Sequence, residues 1–75
     1  MKAGEVHGLH DSQIVELVGK ARQELFNLRF QHATGQLEDT AAIGRSKRDL
    51  ARALTVARER GIDVDRELKR QSEDD

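Results

Sequence analysis

Cysteine and proline are absent from this 75-residue chain, and so are tryptophan and tyrosine. Without cysteine there are no disulfide staples and no thiolate metal site, which suits a reducing compartment. Without proline, no missing backbone donor breaks a helix, and the six glycines must supply the punctuation. No apolar run approaches a membrane span. The opening MKAGEVHGLHD lacks the apolar stretch of a secretory signal. The length is that of one small domain, near the size where a single core is only marginally stabilising. A soluble cytoplasmic protein is the expectation.

Catalysis is poorly supported. The chain offers no nucleophile–base set, no phosphate-binding glycine loop and no pair of carboxylates that so small a scaffold could shield from water. His7 and His10, with Asp11 adjacent, are the only metal-ligand grouping, and three such groups near a chain end are a weak signal. Neither a cofactor nor a metal is expected, and neither is a small-molecule substrate.

What the chain does have is charge, at 36% of residues, with a net of only −1. That average hides a split. Residues 1–61 carry ten Lys and Arg against eight acids, whereas residues 62–75 carry three bases against six acids. The first segment reads as the working domain and the second as an acidic, partly disordered extension. Within that extension Asp65 and Lys69 have i,i+4 spacing for an ion pair. The closing Ser-Glu-Asp-Asp has nothing to pack with.

Two long helices account for most of the first segment. One runs from about Asp11 to Ala33, where Thr34-Gly35 ends it. Leu9 and Ile14 have the spacing of a hydrophobic staple around a cap at His10, with Gln13 in the reciprocal position; Asp11 and Ser12 are alternative caps. The other begins after Asp39 or Thr40 and continues to about Arg60, stopping at Gly61. A short loop between them makes an all-α antiparallel hairpin, coiled-coil-like, with a short N-terminal segment. Its seam is Ile14, Val18, Ala21, Leu25, Leu28 and His32 on one helix, with Leu17 at the edge. On the other it is Ile43, Ser46, Leu50, Ala53, Leu54 and Ala57.

Both phenylalanines lie outside that seam. At 100° per residue, Phe26 and Phe30 point well away from its middle, alongside Val15 and Ala33. A hairpin has no third long helix to cover them, so an apolar strip is expected in water, the mark of an interface. The bland alternative is that the N-terminal segment, with Val6 and Leu9, folds back and hides both rings.

A second surface is cationic. Arg45, Arg48 and Arg52 recur at three and four residues, opposite the Ile43/Leu50/Ala57 stripe, with Lys47 and Arg58 on another side. Lys20, Arg22 and Arg29, with Asn27 and Gln31, add donors on the first helix. Guanidiniums in a row along a rigid helix can meet successive phosphates. The bland alternative is a solvated charged face. RNA fits the shape better than duplex DNA, since no helix-turn-helix, basic-zipper or zinc-finger spacing is present.

The run ELFNLRFQHATGQL followed by KRDLARALT closely resembles the small two-helix protein family of the large ribosomal subunit conventionally numbered twenty-nine. Leu25-Phe26-Asn27-Leu28-Arg29-Phe30-Gln31, Gly35-Gln36-Leu37 and Lys47-Arg48-Asp49-Leu50-Ala51-Arg52 match in order and spacing, within a likeness spanning about residues 9–60. The resemblance implies a hairpin on large-subunit ribosomal RNA near the nascent-peptide exit, beside another ribosomal protein, where targeting factors and chaperones dock. It also implies that Asn27, Arg29, Gln31, Lys47, Arg48 and Arg52 face RNA, and that Phe26 and Phe30 pack on RNA or the neighbour. Asp39 and Ala42 stand where the family often has Asn and Arg. Gly44 replaces a frequent basic residue, costing that helix up to about 1 kcal/mol. One competing class is a hairpin adaptor that recruits a partner protein through the Phe strip without RNA; a second is an enzyme accessory subunit.

Overall fold

In the computed structural model, which describes residues 3–73, four helices follow one another: α1 (Ala3–His7), α2 (Asp11–Ala33), α3 (Ala41–Glu59) and α4 (Val64–Glu73). The long pair forms the expected hairpin, and its ends fall where the local chemistry puts them. At the start of α2, the backbone N–H of His10 donates to Gln13 Oε1 at 2.9 Å, half of a capping box, and half-buried Leu9 packs on the core. At its end, Gln36 N–H donates to the Gln31 carbonyl at 2.8 Å and Gly35 takes φ +78°, a left-handed exit that glycine adopts without steric strain. Gly61 does the same after α3, at φ +70°.

Thr40 occupies the N-cap position of α3 but its side chain makes no capping bond. Asp39, one residue earlier, takes over: its Oδ1 accepts from Ala41 N–H at 3.1 Å. The same carboxylate receives Arg45 Nη2 at 2.6 Å.

The core lies at the open end of the hairpin. Val6, Ile14, Val18, Ala53, Val56, Ala57 and Val64 are buried together, with Leu9, Leu17, Leu50, Leu54, Ile62 and Leu68 packed around them. The buried small residues of α3 are Ala53, Ala57 and Ser46, and Ser46 Oγ has no hydrogen-bond partner among the described residues. Val56, absent from the expected seam, is buried because α1 lies against that side of α3. His32, placed in the seam by its spacing, is exposed; the hairpin's loop end is too thin to cover it.

Both flanking segments differ from the simple hairpin. The N-terminal segment becomes α1 and sends Val6, fully buried, into the core rather than over the rings. The segment after Gly61 forms α4, whose Val64 is 6% exposed and belongs to the same core. Asp74 and Asp75, at the acidic end expected to be disordered, lie outside the described residues. Val15, assigned to the uncovered strip, is in fact buried and lines a groove with Ile62, Asp63 and Glu67. The expected Asp65–Lys69 pairing gives way to a bond across the fold, because docking of α4 sets Asp65 Oδ1 2.5 Å from Arg22 Nη1.

Candidate nucleic-acid interface

Helix α3 separates the two surfaces expected to be functional. On one side Arg48, Ala51, Arg52, Thr55 and Val56 line a groove with His7 of α1. On another, Leu54, Ala57 and Arg58 line a groove with Arg22 and the start of α4. Arg52 and Leu54 are two residues apart, about 200° around the helix, so these are opposite sides. The guanidinium row therefore runs on the α1 side. Arg45, Arg48, Asp49 and Arg52 border a common shallow surface there, with Arg45, Arg48 and Arg52 exposed.

The aromatic strip lies on the α4 side. Phe26 and Phe30 follow Arg22 by one and two turns, just beyond the Arg22–Asp65 contact. Their exposures of 65% and 60% decide the question left open by the sequence: neither ring is hidden by the N-terminal segment. They are the exposed large hydrophobics among the described residues. With Ala33 exposed beyond them, α4 covers the upper part of this face, at Val15 and Gly19, and stops short of the rings.

The remaining expected contacts divide by how they are held. Arg29, Gln31 and Lys47 present exposed side chains. Lys20 sits 3.5 Å from Glu16 across one turn of α2, an exposed pair of small energetic weight. Asn27 Oδ1 accepts from Gln23 Nε2 at 3.2 Å. Arg22 and Arg45 each already have a carboxylate, Asp65 and Asp39. The Arg45 hydrogen bond is the main reason that Asp39 holds its proton less tightly than an ordinary carboxylate, ahead of the backbone N–H groups of Ala41 and Ala42.

Arg60 lies outside the basic row, and its guanidinium turns inward, donating to the His7 and Leu9 carbonyls, both at 2.5 Å, and to Asp11 Oδ1 at 3.2 Å. These partners lie about fifty residues away, and no spacing rule reaches that far. No group of three or more potential metal ligands occurs among the described residues.

Comparison with known proteins decides the family. The profile of the ribosomal L29 protein family matches residues 4–60, which span nearly all of α1 and the whole of α2 and α3. The chain belongs to the ribosomal L29 family. It is 53% identical over 62 residues to large ribosomal subunit protein uL29 of Maridesulfovibrio salexigens, covering 83% of this chain and 97% of that protein. To the uL29 proteins of Staphylococcus aureus and Staphylococcus carnosus it is 54% identical over 63 residues, covering 84% of this chain and 91% of each relative. An L29-family chain is a structural constituent of the cytoplasmic ribosome and not an enzyme. Every side chain assigned to either surface falls within the matched span, and α4 falls outside it.

Proposed function

We propose that the hairpin, residues 1–61, is an rRNA-binding unit that anchors this chain to large-subunit ribosomal RNA near the nascent-peptide exit. Arg45, Lys47, Arg48 and Arg52 of α3, with Lys20, Arg22, Asn27, Arg29 and Gln31 of α2, meet phosphates and sugars by charge and shape, without base reading. Phe26 and Phe30 pack against the neighbouring ribosomal protein at the exit, a region where targeting factors and chaperones dock. The observation that carries this reading is the division of surfaces. A guanidinium row occupies one side of the hairpin and two bare phenyl rings the other, so a polyanion and an apolar partner can be engaged together.

Salt dependence tests it. Binding of the chain to deproteinised large-subunit rRNA should weaken steeply with KCl, and Arg48→Ala with Arg52→Ala should flatten the slope by roughly one unit or somewhat less per residue. Binding that ignores both salt and these substitutions would favour the adaptor reading, in which the Phe strip alone recruits a protein.

A further inference from the structure

Helix α4 joins the hairpin through a small, specific set of contacts. Val64 enters the core, Leu68 lies over the bare backbone of Gly19, and Asp65 Oδ1 meets Arg22 Nη1 at 2.5 Å. A helix of ten residues is marginal in water by itself, so its helicity depends on this docking. The ion pair is open to solvent, with side-chain exposures of 40% for Arg22 and 78% for Asp65, and exposed pairs of this kind hold weakly. The extension carrying α4 has three bases against six acids and lies beyond the family-matched residues. Helix α4 itself is balanced in charge, with Asp65, Glu67 and Glu73 against Arg66, Lys69 and Arg70, but through Asp65 it occupies a cation on the hairpin that could otherwise meet a phosphate.

We propose that α4 is a displaceable electrostatic latch: Asp65 occupies Arg22 in the free chain and is exchanged for an RNA phosphate on binding. This rests on the reading that Arg22, which lies on the α4 side one turn from Phe26 rather than in the guanidinium row, also meets RNA. Both partners are singly charged at their contact, so the exchange replaces one carboxylate by one phosphate oxygen and leaves the guanidinium paired throughout. In the free chain the latch weakens capture of non-cognate polyanions. On the correct RNA, the other cations supply the free energy that opens it. Opening also uncovers Gly19 and Val15, lengthening the apolar face above Phe26 by about three turns.

The full-length chain and deproteinised large-subunit rRNA, titrated over a KCl series, test the latch. Asp65→Asn should tighten binding about two- to fivefold, the range of an exposed ion pair, and steepen the salt slope by up to about one contact. Leu68→Ala, which loosens α4 without changing charge, should act in the same direction. In an Arg22→Ala background the Asp65→Asn gain should vanish, since the carboxylate then has no guanidinium to withhold. A gain that persists without Arg22 reduces the effect to net charge and overturns the latch. So does an unchanged affinity in both Asp65→Asn and Leu68→Ala, while the Arg48→Ala and Arg52→Ala effects stand. If the unsubstituted chain shows no salt-dependent binding to rRNA, the reading of the basic row fails first and the latch falls with it.

Discussion

Leu68 Cδ2 lies 3.1 Å from the point where a β-carbon on Gly19 would stand. A mid-helix glycine normally costs α2 about 0.5–1 kcal/mol relative to alanine. Here the missing side chain lets a leucine of α4 approach the backbone of α2. Because Leu68 is half-buried and flexible at its tip, it can yield by a few tenths of an ångström. Gly19→Ala should therefore raise stability slightly, by about 0.5 kcal/mol. Gly19→Leu needs far more room and should undock α4, seen as fast amide exchange over residues 64–73. Protection that survives Gly19→Leu would refute the close approach as the docking determinant.

Arg60 closes the N-terminal segment over the hairpin. Arg60→Ala removes the donors to His7, Leu9 and Asp11 and should cost about 1–2 kcal/mol, allowing for partial solvent access. For a chain of this size that is a melting-temperature fall of roughly 5–15 °C. Amide protection in α1 should be lost before that of α2. A uniform loss across all helices would mean that the guanidinium does not hold α1 specifically.

Ser46 contributes a buried hydroxyl with no partner among the described residues. Leaving such a group unsatisfied costs about 1–3 kcal/mol, and serine is also a weaker helix former than alanine. Ser46→Ala should stabilise the chain by about 1 kcal/mol in denaturant titration. Destabilisation would indicate that the hydroxyl finds a partner in solution.

Asp39 supplies a pH dependence whose sign is fixed by its partner. The Arg45 hydrogen bond lowers its pKa below the ordinary 3.8, so the folded state favours the ionised form. That contribution is complete above the ordinary value and disappears as the pH falls through the lowered one. Acidification into that range should loosen the first turn of α3. Asp39→Asn should remove the acid-sensitive component there, readable in the chemical shifts of Ala41 and Ala42. Identical acid profiles for the two chains would exclude Asp39 as the source.

Phe26 distinguishes docking from folding. With the ring 65% exposed, Phe26→Ala should leave the free chain within about 0.5 kcal/mol of its original stability. Incorporation into large subunits, followed by co-sedimentation on sucrose gradients, should fall clearly. Equal losses in both measurements would show that the ring supports the fold rather than an interface.

Local rules located the hairpin closely. Both glycines placed at helix exits take positive φ, and Gln13 caps the His10 backbone as its three-residue offset requires. The direction of Phe26 and Phe30 away from the seam followed from helical angle, but only the structure, with α1 packed on α3 instead, settled that both rings are exposed. The same reasoning misplaced Val15, because it assumed that nothing lay on that side of α2.

The chain by itself determined what depends on neighbours within about one turn: where α2 and α3 begin and end, most of the seam (all but exposed His32 and the missed Val56), and which cations share a stripe. Tertiary structure decided which charges remain available. Arg22 finds Asp65 at a separation of 43 residues, and Arg60 finds the carbonyls of His7 and Leu9 at 53 and 51. A guanidinium's spacing along a helix gives its direction. Its partner depends on which distant helix arrives there, and that is set by packing of apolar side chains such as Val6, Val64 and Leu68.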